Sequence, residues 1–158
     1  MQTVRVTPSV EPPLRAAWLH VLLPLAAGTL VYLLARPAGL RVFGWVEAVG
    51  LAESLNRARD ASHSVVAALP ALVRFSLPNA LWVYSFAWLL SALWDHRATR
   101  QSLPWLLIAP VLGLGWELGQ LAGTVPGTFD PLDLALTFVA SLLALKRPLA
   151  PLLPVKVR

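Results

Sequence analysis

Four apolar blocks, set between segments that hold most of the charge, constrain this chain more than any other feature of it. They run over 16–35, 77–94, 103–123 and 132–145, and the first lies between Arg15 and Arg36. Twenty helical residues rise about 30 Å, the thickness of a hydrocarbon core. The expectation is an all-α, polytopic membrane helix bundle of four transmembrane helices. Composition agrees: 57% of the residues are apolar and 13% charged, against about 45–50% and about 25% in soluble domains. The formal charge of +5 is carried by Arg and Lys residues that mostly flank the apolar blocks. Contact with a lipid bilayer explains them better than nucleic acid does, and no nucleic-acid partner is expected. With no cysteine in the chain, disulfides, thiolate metal sites and cysteine nucleophiles are excluded.

The blocks divide the chain. Residues 1–15 read as a polar, Pro-containing arm, and 16–147 as one transmembrane domain. The first block reads as a retained anchor, because Leu34-Ala35-Arg36-Pro37-Ala38 is a poor cleavage site. Pro24 and Pro110 should kink their helices, whereas Pro78 and Pro104 suit first turns. His20, near the Arg15 end, should be satisfied by headgroups or a neighbouring carbonyl. In the long connection 36–75, Val42, Phe43, Val46 and Val49 recur at helical spacing. That segment either lies on the membrane surface as an interfacial helix or packs as a cap on the bundle. The fourth block is short for a span. The tail, 148–158, is Pro-rich and basic and is not expected to form a stable helix.

Basic residues orient the bundle. With both termini cytoplasmic, Arg5, Arg15, Arg97, Arg100, Lys146, Arg147, Lys156 and Arg158 lie inside, and Arg36, Arg41, Arg57, Arg59 and Arg74 outside. Of the two short loops, one carries Arg97 and Arg100, while 124–131 has no positive charge. The expected topology is a multi-pass cell-membrane protein, N-in and C-in, with the GTFD loop outside.

That topology gathers Glu117, Gln120, Asp130 and Asp133 at the outer face. Carboxylates at membrane depth are costly, which makes them functional candidates. Glu117 and Gln120, three apart, share a helical face. Gly115, Gly119 and Gly123 lie on the other side as overlapping GxxxG patterns, and close helix packing is the ordinary reading of such a row. Asp130 suits an N-cap with Pro131 at the first helical position and Asp133 in the first turn, which accounts for both aspartates structurally. No basic neighbour in sequence pairs Glu117, and Arg74 is the expected partner from the outer side. Asn79, at the start of the second block, is placed to reach the same cluster. Trp82, Tyr84 and Trp94 suit aromatic belts.

The pattern W-E-L-x-Q at Trp116–Gln120, followed by G-x-F-D-x-x-D at Gly127–Asp133, resembles the VanZ-like family of small integral membrane proteins. The four-block layout and SLPNALWVYSF at the second block are similar too. The resemblance implies that the polar motif of the family falls on Glu117, Gln120, Asp130 and Asp133. This chain departs from it at Gly127 and Thr128, where family members often have an arginine, and at Thr137, where they often have an asparagine. Some relatives are associated with glycopeptide antibiotic resistance, but the resemblance supplies neither a reaction nor a ligand.

Three functions are compatible with these residues. The first is a non-enzymatic membrane protein whose outer polar cluster binds a ligand or partner. The second is an accessory subunit held to a membrane protein partner through the glycine row and the long connection. The third is an enzyme acting on a lipid-linked or cell-wall substrate, with Glu117 as general base and Asp133 as its partner. The sequence carries no H-E-x-x-H, G-x-S-x-G or P-loop pattern, and no cofactor or metal is expected.

Overall fold

The computed structural model describes residues 14–152. The expected arm over 1–15 therefore lies outside the described residues except for Leu14 and Arg15, as does the tail beyond 152. Among the described residues the chain is all-helical, without a strand.

The first helix, α1, spans Leu14–Ala35. A π turn, Trp18–Leu22, lies within it and closes with the Leu23 N–H on the Trp18 carbonyl. Pro24 follows directly. In a regular α-helix its ring would press on the His20 carbonyl, and it has no N–H to donate. The wider turn relieves both, so the irregularity expected at Pro24 takes the form of a π bulge. The device recurs before Pro78, where Leu72–Ser76 closes with the Leu77 N–H on the Leu72 carbonyl.

The long connection holds two helices, α2 (Arg41–Ala48) and α3 (Ala52–Ala68), neither with a buried residue. Gly50 separates them at φ +74°. Its N–H bonds the Glu47 carbonyl at 2.8 Å and the Leu51 N–H bonds the Val46 carbonyl at 3.0 Å, a left-handed helix end that glycine adopts without steric cost. Helix α3 rests on α1, and Arg59 donates to the Leu33 carbonyl. One of the carbonyls left open at the C-terminal end of α1 is thus satisfied by a cation.

The remaining blocks are α4 (Leu77–Leu93), α5 (Leu103–Leu121) and α6 (Pro131–Ala144). Helices therefore stand at all four apolar blocks. One of them, α1, is long and apolar enough to cross a membrane, and α6 is apolar but shorter. A short α7 (Lys146–Leu149) and a 3-10 turn (Ala150–Leu152) follow, with Pro148 buried. The start of the tail is thus helical, where no helix was expected.

Helix α4 is the centre: it packs on α1, α5 and α6, and α5 also packs on α6. The buried positions are mostly small or hydroxylated, including Ala80, Ser85, Ala87, Ser91, Ala109, Thr137, Ala140, Ser141 and Ala144. Leu30, Val111, Leu112, Leu118, Phe138 and Leu143 are exposed. Soluble bundles show the reverse partition. Small residues at contacts and large apolar ones outside are what helix packing in lipid favours. Ser85 and Ser141 donate to the Leu81 and Thr137 carbonyls at 2.8 and 2.7 Å, which satisfies hydroxyls that have no water to bond.

Candidate functional site

The C-terminal ends of α1 and α5 and the N-terminal ends of α4 and α6 meet at one end of the bundle and enclose a cavity of about 380 Å³. Glu117, Gln120, Asn79 and Asp133 all line it. Glu117 is 3% exposed. No Lys or Arg pairs with it among the described residues, where the ion pair is Arg57–Glu53 at 3.9 Å. No hydrogen bond to its carboxyl forms among them either. Asp133 lies within Coulombic reach of Glu117, and its Oδ1 is buried without a partner. Asn79 donates to the Thr137 hydroxyl at 3.3 Å, which ties α4 to α6 beside the cavity. With its amide oriented to satisfy both ends, Gln120 donates to the Thr128 carbonyl at 3.0 Å and accepts from the Trp116 indole at 3.1 Å. Gly127, at φ +132°, lets that amide close against the loop backbone.

Asp130 does not line the cavity. It caps α6, its carboxylate accepting from the Leu132 N–H at 2.8 Å, with Pro131 as the first helical residue. Arg74, the expected partner of Glu117, sits over the Phe75 ring and lines a separate cleft with Arg59, Asp60 and His63. The guanidinium at the cavity belongs to Arg36, which donates to the Phe75 carbonyl at 2.9 Å and lies 5.5 Å from the Tyr32 ring centroid. Its Nε is buried and unpartnered. Reasoning from the sequence missed Arg36, although the residue ends the first block on the side assigned to Glu117. Trp82, expected in an aromatic belt, donates its indole to the Thr29 hydroxyl at 3.2 Å, stands 5.1 Å from Tyr32 and lines the cavity.

Within the chain the glycine row does not receive another helix. A Cβ at Gly115 would meet open space, one at Gly119 would meet Val125 of the following loop, and Gly123 ends α5 at φ +70°. Close helix approaches occur at Gly28, against Trp82 and the Pro78 carbonyl, and at Gly113, against Val83 and Thr137.

A second polar cluster lies toward the other end of α4. His20 Nδ1 and the Tyr84 hydroxyl are 2.7 Å apart, and Trp88 stacks on His20 at 4.9 Å. His20 is therefore satisfied by a side chain, not by a headgroup or carbonyl. Past the end of α4, Asp95 and His96 take φ +51° and +53°, which sets His96 Nδ1 2.8 Å from the Ser91 hydroxyl. Burial, and then the Arg147 charge, hold the His96 imidazole below its ordinary pKa of 6.5. The folded state thus prefers neutral His96, and its contribution is whole above the unfolded value and is lost as pH falls below it. Thermal unfolding in detergent should show stability declining as pH drops below about 6.5, and His96→Gln should flatten that decline.

No protein-family model matches this sequence, and neither a curated protein nor a solved structure matches it.

Proposed function

We propose that this protein is a four-span integral membrane protein, N-in and C-in, that resembles the VanZ-like family and binds a ligand in the outer cavity without chemically transforming it. The observation that carries this reading is Glu117: a residue 3% exposed, its carboxyl unpaired among the described residues, at the wall of a cavity that also holds Arg36, Asn79 and Asp133. A buried carboxylate with no partner is too costly to be packing filler. The outward-facing leucines and the small-residue core support the membrane setting. The grouping of helix ends is compatible with it: in an N-in topology the four termini at the cavity would lie at the outer face.

Gly115 gives the accessory-subunit reading its footing, because the space beside it on α5 is open.

The cysteine-free sequence makes the test direct. Thr128→Cys should react with a membrane-impermeant maleimide in intact cells, and Thr99→Cys should react only after permeabilisation. The opposite pattern would overturn the orientation. Mass measurement of the particle in mild detergent then decides the rest: the chain alone supports autonomous binding, and a stoichiometric second protein makes this a subunit.

A further inference from the structure

The outer cavity has an apolar neighbour. A second hollow of about 520 Å³ runs down the bundle between α1 and α5, two helices that flank α4 without an extended contact between them. Its walls are apolar and include Val21 and Leu25 of α1, Phe86 and Leu89 of α4, and Leu112 of α5. Asn79, Trp82 and Trp116 line both hollows, so the polar chamber and the apolar groove adjoin across these three side chains. Leu25, Phe86 and Leu112 are 42%, 44% and 65% exposed, so the groove opens sideways along its length.

Its dimensions suit part of a lipid. From Asn79 to Leu89, α4 rises about 15 Å, roughly half of a 30 Å hydrocarbon core and thus the depth of one leaflet. At the top of that depth sit one guanidinium, two carboxyls and the indoles of Trp82 and Trp116. The buried Arg36 Nε and the buried Asp133 Oδ1 both lack partners. A donor left over on an arginine calls for an anionic oxygen, and arginine matches phosphate geometrically. Two carboxyls with aromatic walls call for a cation that also donates hydrogen bonds.

We propose that the cavity and the groove together form one lateral-entry site for a phospholipid with a primary-amine headgroup. The phosphate meets Arg36, the ammonium meets Glu117 and Asp133, and an acyl chain lies in the groove between α1 and α5. The proposal rests on the ligand-binding reading above and specifies its ligand.

The test is native mass spectrometry of the full chain in mild detergent with equimolar dioleoyl-phosphatidylethanolamine, -phosphatidylcholine and -phosphatidylglycerol. The ethanolamine lipid should be retained about ten-fold over the choline lipid, whose nitrogen carries the same charge but no N–H. Glu117→Gln and Asp133→Asn should each erase that preference. Leu25→Trp, a change at an exposed groove position, should lower retention of all three. Equal retention of the three by the wild type would overturn the assignment, as would preference for the glycerol lipid. Adducts unchanged by both Glu117→Gln and Leu25→Trp would sit elsewhere on the apolar surface and overturn it too. A reversed topology or a stoichiometric second protein would defeat the ligand-binding reading. An autonomous, correctly oriented chain indifferent to headgroup would defeat the lipid assignment alone.

Discussion

Gly113→Val should lower unfolding stability by about 2–3 kcal/mol, at the upper end of ordinary overpacking, and weaken the outer cavity as it does so. A Cβ at this position would stand 2.7 Å from Val83 Cγ2 and 2.9 Å from Thr137 Cγ2. Both neighbours are β-branched and held to a single χ1 well or two in a helix, so neither side chain can swing aside. The helices themselves must part. Because α4, α5 and α6 all meet at this point, one substitution loosens two interfaces. Thr137 also accepts the Asn79 hydrogen bond at 3.3 Å, so the separation reaches the cavity wall. Gly115→Ala is the internal control. Nothing lies within 4 Å of the added methyl, and a helical glycine costs about 0.5–1 kcal/mol relative to alanine. That variant should gain stability by this order. Denaturant unfolding in a fixed detergent, followed by helix content, would show the two shifts in opposite directions. Equal tolerance at both glycines would mean that α5 does not cross α4 and α6 at Gly113.

The contrast between those glycines marks where sequence reasoning stops. Hydropathy located the four helices closely: the block at 77–94 is a helix over Leu77–Leu93, and that at 132–145 one over Pro131–Ala144. The cap at Asp130 was legible because a short polar residue, a proline and a carboxylate within four positions encode a helix start locally. The facing of α5 was not. GxxxG spacing says that a helix can approach closely but not which side its neighbours occupy, and here they occupy the Gly113 side. Arg36 was invisible for a similar reason. Its place at the cavity depends on α1 packing against α4 along Gly28, a contact between residues fifty positions apart in sequence. The π turns lie between these cases. Pro24 and Pro78 announce an irregularity, while its form depends on which carbonyl the ring would otherwise strike. Glu117 stands out in the sequence because an ionisable group in an apolar helix contradicts its surroundings, and in the fold it lines the cavity.

Glu117→Met should make the protein more stable and empty its site. The residue is 3% exposed and its carboxyl lacks an ionic partner among the described residues, so the folded state carries a desolvation cost with no compensating bond. A methionine is close in length and adaptable in shape and would remove that cost at small loss of packing. Even buried ion pairs, whose charges compensate each other, can often be replaced by apolar side chains at no loss or with a gain of about 1–4 kcal/mol. Because Glu117 faces a cavity rather than close-packed neighbours, a gain of about 1–2 kcal/mol is expected here. The same variant should lose the lipid preference of the wild type, since an ammonium headgroup would then face only Asp133. A gain in stability paired with a loss of binding is the signature of a residue kept for function against the interest of the fold. The measurement is thermal unfolding of wild type and Glu117→Met in one detergent, together with their accumulation in membranes. A variant that unfolds earlier or fails to accumulate would instead make Glu117 a structural residue. The cavity would then be a consequence of how four helix ends meet, with its polar lining serving the fold.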